Sequence, residues 1–550
     1  MSASSKKKLR KEQNAALLTE KQKKAQAESK KLKAYSTIFT VIIVAILVTA
    51  LVVIGISTYN KMGIAQKNTI AATIDGVELN SVEMNYFFVD AIENEYKSWE
   101  EMYGGNVSGI ATLMGLDTST PLDEQIYNEA TGETWADYFY ALALEEAKSI
   151  YALEKEAKAV GFTLTAEEQN AIDLSMEQMK LYMAASGYNN MGQFLSATYG
   201  PGASEQTYRA YTERAILAGN YYNAKVSGFA YSEDDIRAKD NEDLQHYNSY
   251  NYNTVYLSYS SYLEGGTTDE NGTVTYTEAD RNAARNKAKA DAETLGAATS
   301  LEELDKAIAA LPVNAEKENA ASNKVENALY DNLPTDAAEW FTDPARKEGD
   351  ITVLPLKSST TAEDGSVTEV INGYYVYCYQ SSTDNKVPMG DVRHLLVAFQ
   401  SATGDVEYTD EEKATAKASA EELLNNWMSG EATEESFIAL VQEKSDDVGS
   451  KADGGLFENV APVQGVYEEN FTNWAVDPNR KAGETGIIET SYGYHVMYYV
   501  GNSKLNYRDH LIETDLRNTD VSTWYTGLID ATTATKGDTS KVVTDRIVSG

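Results

Sequence analysis

The alternation of apolar and polar positions separates an unusually apolar run from the rest of the chain. Residues Ile38–Ile56 are nineteen consecutive positions without a charge. A helix of that length, rising ~1.5 Å per residue, nearly spans the ~30 Å hydrocarbon core of a bilayer. We therefore predict a transmembrane anchor at residues 36–58. A cleaved signal peptide is the alternative, although "STYNKMG" after the run is a poor cleavage site.

After this run, helical periodicity dominates residues 70–245. A short strand (Ala72–Ile74) and a turn at Asp75-Gly76 precede a helix that begins after Asn80 or Ser81. Capping boxes at "TAEE" (165–168) and "SEDD" (232–235) open later helices. One long helix has a single apolar stripe, formed by Trp135, Phe139, Leu142, Ile150, Leu153, Ala157 and Val160. The pattern predicts a mainly helical domain over 70–245.

From Tyr250 the pattern changes to strand-like alternation and to an internal repeat. "WFTDPARKEGD" (340–350) matches "WAVDPNRKAGE" (474–484) at six of eleven positions, and "NGYYVYCY" (372–379) matches "YGYHVMYY" (492–499). Upstream, "NTVYLSY" occupies the position in the first copy that "VRHLLVA" occupies in the second. We predict two copies of one α+β unit, at 250–382 and 383–502, followed by a C-terminal helix and tail at 503–550.

The second copy has a predictable order of elements. Asp391–Ala398 is a strand, and a capping box formed by Thr409 and Glu412 opens an amphipathic helix. "EESFIALVQEKS" and "YEENFTNWAV" predict two further helices, separated by a glycine turn into "GGLFENV". "TGIIE" and "GYHVMYYV" predict two closing strands. The expected unit is a small antiparallel sheet flanked by helices.

Charge is distributed unevenly along the chain. Residues 1–35 hold 11 Lys/Arg and 3 Asp/Glu, which leaves 36 Lys/Arg against 81 Asp/Glu in the remainder. A body this acidic lacks the basic footprint of a nucleic-acid-binding protein. By the positive-inside rule, residues 1–35 are a basic cytoplasmic segment, and the acidic body lies outside the cytoplasm. We therefore expect a single-pass protein of the cell membrane.

Two motifs place rare residues inside strands. The single cysteine, Cys378, excludes an intramolecular disulfide and a CxxC motif, and we interpret it as a small buried apolar residue. Two of the four histidines, His394 and His495, fall in predicted strands of the second copy. In the first copy Tyr375 stands at the position of His495, and Val255 or Tyr256 at that of His394.

The ordered set "VRHLLV", "SDDVGSKADGGLF", "GETG" and "GYHVM" resembles the parvulin family of peptidyl-prolyl cis/trans isomerases over about 391–501. The anchor and helical segment resemble the exported PrsA/SurA-like foldases, which makes the helical domain a chaperone-like module and the first copy a degenerate parvulin unit. The resemblance implies a catalytic set and a substrate-binding set. The first is His394, Asp447 and His495; the second is Leu456, Tyr467, Phe471 and Thr490.

The resemblance also implies partners and chemistry. Isomerisation makes and breaks no bond, so no cofactor and no metal is expected; a two-His, one-Asp metal site is the disfavoured reading. The expected partners are unfolded or partly folded exported polypeptides, together with the membrane through the N-terminal helix, and no nucleic acid. Two alternatives stay open: a non-catalytic holdase or assembly chaperone that keeps the parvulin fold, and an acidic cell-surface scaffold. The sequence leaves the oligomeric state, the clients and the residue preferred before proline undetermined.

Overall fold

The computed structural model describes residues 63–545, except 105–106, 270–271, 318, 362–366, 401–407 and 464–465. These residues fall into two compact units. The helical unit comprises 63–230 and 517–545, and the repeat unit comprises 231–516. The predicted basic segment and the anchor at 36–58 lie outside the described residues. Within those that are described, no helix combines the length and the apolarity needed to cross a membrane.

The helical unit is built from seven complete helices around a small sheet. Its helices are α1 (Ile64–Asn68), α2 (Ser81–Tyr103), α3 (Val107–Leu113), α4 (Trp135–Ala159), α5 (Ala166–Ala185), α6 (Met191–Tyr199) and α7 (Glu205–Gly228). Its strands are β1 (Ile70–Ile74), β2 (Val77–Asn80), β3 (Ile126–Asn128), β4 (Glu133–Thr134) and, from the far end of the chain, β15 (Ala534–Lys536). The order β15-β1-β2 brings the C-terminal strand onto the first strand.

Local capping explains where these helices begin. Asn80 caps α2, and its side chain accepts from the N–H groups of Val82 and Glu83. In return, the Asn80 N–H donates to the Glu83 carboxylate. Thr165 and Glu168 form the predicted box at α5. The predicted stripe of α4 is buried except for Leu142, which is half-buried, and Val160, which is exposed. Val160 follows the last helical turn, so it no longer faces the core.

The repeat unit contains two sheets of the same topology. It comprises α8 (Glu233–Asp240), β5 (Ser249–Ser258), β6 (Thr267–Thr268), β7 (Val274–Thr275), α9 (Glu278–Gly296), α10 (Leu301–Ala310), β8 (Asn323–Leu329), α11 (Ala338–Phe341), β9 (Ile351–Thr361), β10 (Val367–Thr383), β11 (Pro388–Ala398), α12 (Asp410–Met428), α13 (Glu434–Lys444), β12 (Leu456–Val460), α14 (Glu469–Ala475), β13 (Thr485–Glu489) and β14 (Gly493–Asn506). The strand orders are β8-β5-β10-β9 and β12-β11-β14-β13, all antiparallel. Helix α15 (Tyr507–Asp530) begins in this unit and continues into the helical unit. The mixed architecture of helices and small antiparallel sheets is confirmed.

Strand register corrects one equivalence between the repeats. In the second repeat His394 lies opposite Met497, two residues beyond His495. In the first repeat the residue two beyond Tyr375 is Tyr377, and it lies opposite Thr254. Thr254 is therefore the counterpart of His394, and the prediction of Val255 or Tyr256 was wrong. An alignment of the two strands by sequence could not resolve this shift because the connection between them differs in length.

The two faces of the second sheet have different partners. Leu395, Val496 and Tyr498 pack with α12 and α13 in one apolar cluster. Met497 and Tyr499 join Phe471 of α14 in another. Because side chains alternate along a strand, His394 and His495 lie on the α14 face. The sheet thus presents both imidazoles to the side that a single short helix covers.

Candidate active site

The two strand histidines meet. His394 and His495 lie diagonally on the adjacent antiparallel strands β11 and β14, and their Nδ1 atoms are 2.8 Å apart. Their rings are nearly parallel, with centroids 5.0 Å apart. The two residues are 3% and 7% exposed, so each ring nitrogen needs a partner within the protein. This pairing is the geometry on which the proposed chemistry depends.

The segment after α13 supplies the partners of His394. Asp446 N–H donates to Leu396 O, and Leu396 N–H donates to the Ser445 hydroxyl, which docks this segment along β11. The docking places Asp447 Oδ2 at 2.9 Å and Ser450 Oγ at 3.1 Å from His394 Nε2. Ser450 also donates to Asp447 Oδ2. The carboxylate is therefore fixed by both neighbours.

The turn between β13 and β14 supplies the partner of His495. Thr490 Oγ1 lies 2.8 Å from His495 Nε2, and Thr490 is itself buried. Its N–H donates to Gly493 O, which closes the turn. Four side chains from three separate segments thus form one hydrogen-bonded chain, from Thr490 through both histidines to Asp447.

Electrostatics fix the protonation of this chain. Burial lowers the pKa of His394, and it lowers the pKa of His495 to about 3, so both rings are neutral at neutral pH. Burial raises the pKa of Asp447, but hydrogen bonds from Ser450 and from the Gly449 N–H outweigh it and leave that pKa lowered. Asp447 is therefore a carboxylate, and its contact with His394 is a hydrogen bond to a neutral ring.

Each neutral ring carries one N–H proton, so one of its nitrogens donates a hydrogen bond and the other accepts one. Asp447 accepts only, so His394 donates from Nε2. His394 Nδ1 then accepts from His495 Nδ1–H, and His495 Nε2 accepts from the Thr490 hydroxyl. All donors in the chain point toward the carboxylate. The arrangement is preorganised, because no proton needs to move before a substrate binds.

An aromatic cavity of about 570 Å³ opens beside this chain. Phe457, Tyr467 and Phe471 form its wall, with ring centroids 5.5 Å apart in each pair. The Phe471 ring lies 5.6 Å from that of His394 and 5.8 Å from that of His495. The lining comprises His394, Leu396, Asp447, Phe457, Val466, Tyr467, Glu468, Glu469, Phe471, Thr490, Tyr492 and His495. Its size and apolar wall suit a proline ring with its flanking residues.

Six of the seven predicted site residues line the cavity, and Leu456 does not. Leu456 pairs with Arg393, whose guanidinium reaches Glu434 on α13, so both side chains lie on the other face of the sheet. The next residue, Phe457, occupies the wall instead. Neighbouring residues of a strand face opposite sides of the sheet, so Leu456 and Phe457 cannot both face the cavity. This alternation could have been applied to the predicted strand in "GGLFENV". Ser450, three residues after Asp447, was also missed.

The corresponding face of the first repeat has no imidazole. Thr254 is buried and its hydroxyl has no hydrogen-bond partner, while Tyr375 stacks on Tyr256 and Tyr377. Nothing at these positions reproduces a chain of donors ending in a carboxylate. Among the described residues of both units, no group of three or more His, Cys, Asp or Glu side chains is placed to hold a metal ion.

The paired histidines, the carboxylate and the apolar slot lie together on one four-stranded antiparallel sheet. Residues 394–501 match the family model of the Rotamase, PPIC-type PPIASE domain. The chain therefore carries a peptidyl-prolyl isomerase domain of the parvulin type, as its motifs predicted.

Curated relatives point to foldases. The chain is 30% identical over 123 residues to foldase protein PrsA 3 of Bacillus anthracis, covering 22% of this chain and 35% of the relative. It is 30% identical over 109 residues to foldase protein PrsA 1 of Listeria monocytogenes, covering 20% and 29%. These matches span about a third of the relatives' length, and the predicted resemblance to PrsA-like foldases is confirmed over that part.

Solved structures give weaker matches. The crystal structure of PrsA from Bacillus subtilis is 13% identical and covers 74% of this chain and 89% of that chain, at a TM-score of 0.25. PrsA from Bacillus anthracis is 20% identical and covers 27% and 59%, at a TM-score of 0.17. The assignment of the domain therefore depends on the family model and on the site geometry.

Proposed function

We propose that this protein is a membrane-anchored extracytoplasmic foldase that accelerates cis/trans isomerisation of X–Pro bonds in exported polypeptides. The observation that carries the proposal is the hydrogen-bonded pair His394–His495 at the wall of an aromatic cavity. A basic N-terminal segment before an apolar run supports the anchor and its orientation. The relatives named as foldases support a role in protein folding.

The chemistry requires a slot and a fixed polar environment. Rotation about an X–Pro bond crosses a barrier of ~18–20 kcal/mol because twisting breaks amide resonance. Phe457, Tyr467 and Phe471 provide an apolar slot for the pyrrolidine ring. A proline held there has its amide beside the chain of donors that ends at Asp447.

The twisted amide differs from the planar one in its charge distribution. Its nitrogen is more basic and its carbonyl is more ketone-like, so a preorganised set of dipoles can bind it more tightly than the ground state. If the site binds the transition state ~5 kcal/mol more tightly than the ground state, isomerisation is several thousandfold faster. Neutral, oriented imidazoles achieve this without proton transfer and without a cofactor.

We propose further that the helical unit holds clients. Its surface exposes large apolar side chains on α5, Leu174 and Leu181, which lie two turns apart on one face of the helix. Such positions suit weak, non-specific contacts with unfolded chain. The first repeat, which lacks both histidines, would contribute to binding and not to isomerisation.

An isomerisation assay tests the catalytic proposal. Exchange NMR of a proline tetrapeptide with the full-length protein should show catalysed interconversion, and His495→Ala should abolish most of it. Tyr375→Phe changes the equivalent position of the first repeat and should retain the full rate. Equal rates for wild type and His495→Ala would favour the non-catalytic holdase, provided that the protein still suppresses aggregation of an unfolded client. If the protein shows neither isomerisation nor suppression of aggregation, the remaining alternative is the acidic cell-surface scaffold.

A further inference from the structure

The mouth of the cavity is acidic. Asp447, Glu468 and Glu469 line the cavity, and none of the described lining residues is Lys or Arg. Glu468 and Glu469 are exposed, at the start of α14, whereas Asp447 lies deeper, at the histidine pair. A substrate that enters the aromatic slot therefore passes carboxylates on its way to the imidazoles.

Hydrogen bonds hold one of these carboxylates in place. The Ser491 hydroxyl donates to Glu468 Oε1 at 2.6 Å, and Asn470 Nδ2 donates to Glu489 O at 2.9 Å. These bonds fasten the start of α14 to the turn between β13 and β14. The Glu468 carboxylate is thereby fixed at the cavity that Tyr492, which is 65% exposed, also lines. A fixed anion beside an exposed aromatic ring favours a cationic side chain over a neutral or an anionic one.

The deep carboxylate, Asp447, and the outer carboxylates, Glu468 and Glu469, all favour a cationic residue. Hydrogen bonds from Ser450 and Gly449 keep Asp447 ionised, and exposed glutamates are charged at neutral pH. An anionic residue next to the bound proline would meet three carboxylates at short range. A cationic residue would relieve their mutual repulsion. The three carboxylates thus bias the cavity toward cationic residues.

We infer that the site selects X–Pro segments that carry Lys or Arg next to the proline, and that it disfavours Asp or Glu there, with Glu468 and Glu469 as the specificity-determining residues. This inference rests on the proposed function of the same cavity. Two carboxylates acting through water at about 7 Å give a preference for Lys over Glu of about tenfold at low salt, allowing for screening.

The test compares three acetylated peptide amides, Ala-Lys-Pro-Phe, Ala-Gln-Pro-Phe and Ala-Glu-Pro-Phe, with the full-length protein at about 20 mM and 500 mM salt. Exchange NMR gives kcat/KM for each peptide, and fluorescence anisotropy of labelled peptides gives Kd. The variant is Glu468→Gln/Glu469→Gln, in which amides replace the carboxylates without loss of side-chain volume. Glu339→Gln, on the exposed surface of α11 in the first repeat, is the control for net charge.

The wild-type protein should prefer the Lys peptide to the Glu peptide about tenfold at low salt, and the preference should shrink toward unity at high salt. The double variant should lose most of it, and Glu339→Gln should keep it. A wild-type ratio within twofold of unity, or a ratio that survives in the double variant, overturns the inference. If no peptide is isomerised, the proposed function fails, and the ratio of Kd values still decides the charge preference.

Discussion

Burial keeps the two imidazoles uncharged, and this determines how the site responds to pH. His394 lies in contact with a carboxylate that would favour its charged form, yet desolvation is the larger effect. His495 has no carboxylate partner of its own, and its pKa falls to about 3. We propose that the pair therefore acts as a fixed array of dipoles, in contrast to a general acid and base that exchange a proton.

We predict that His495 does not titrate between pH 5 and pH 8 in the folded protein, and that His394 titrates at a pH below its ordinary pKa. Ring ¹⁵N shifts should show one protonated nitrogen on each histidine: Nε2 of His394 and Nδ1 of His495. In urea the same histidines should titrate near pH 6.5. Titration of either ring near pH 6.5 in the folded protein would contradict the account.

The lowered pKa of His495 also links folding to pH. Below about pH 6.5 the unfolded chain takes up a proton at this residue, and the folded chain does so only near pH 3. The free energy of unfolding should therefore fall as the pH drops through this window, by up to about 1.4 kcal/mol per pH unit for this histidine. His495→Gln should flatten the dependence. Denaturant unfolding of both proteins from pH 7 to pH 4 measures the difference, and parallel curves would refute the linkage.

At the scale of elements, a glycine pair sets the distance between β12 and the histidine strand. Gly454 and Gly455 have φ values of +66° and +69°, which glycine adopts without strain. The Gly455 carbonyl accepts from His394 N–H, and a Cβ at Gly455 would lie 2.0 Å from His394 O. No side chain fits there.

Gly455→Ala should therefore separate this segment from His394 and abolish most of the isomerase activity. Hydrogen exchange at the His394 amide should accelerate by at least about fivefold, because the strain exceeds about 1 kcal/mol. Gly501→Ala is the control, since a Cβ at that position of β14 meets nothing within 4 Å. Unchanged exchange at His394 in Gly455→Ala would show that the close approach is unimportant.

The alternation of β12 gives a second prediction at this scale. Phe457→Ala removes a ring from the cavity wall and should lower kcat/KM about tenfold, mainly through KM, because about 1.5 kcal/mol of apolar contact with proline is lost. Leu456→Ala, one residue earlier, should leave KM within twofold. Steady-state kinetics on one proline peptide compares them, and the reverse order of effects would restore Leu456 to the wall.

These elements show how far the sequence predicts the site. Periodicity and capping residues located the helices, and the resemblance to parvulins implied His394, Asp447, His495 and Thr490, which the structure brings into one hydrogen-bonded chain. Leu456 was misplaced because a one-residue shift moves a side chain to the opposite face of a strand. The role of Ser450 depends on the docking of the segment 445–455 against β11, and such tertiary contacts have no periodic signal.

At the scale of the whole molecule, the proposed isomerase site and the proposed client-holding surface lie in different compact units. The histidines lie in the repeat unit, and Leu174 and Leu181 lie in the helical unit. His495→Ala should therefore suppress aggregation of an unfolded client as well as the wild type does. Leu174→Ser/Leu181→Ser should weaken suppression and retain isomerisation of a tetrapeptide. Light scattering with a reduced, denatured client measures the suppression of aggregation. Loss of both activities in either variant would argue against separate roles.

We propose that His394 and His495 act together as one isomerase site. A double-mutant cycle with His394→Gln, His495→Gln and the double variant of the full-length protein tests it most directly, with circular dichroism as the check on folding. Each single variant should lower kcat/KM on a proline tetrapeptide about a hundredfold, and the double variant should be lower by no more than about threefold again. Losses that multiply to about ten thousandfold, or a single variant that retains wild-type activity, would contradict the account.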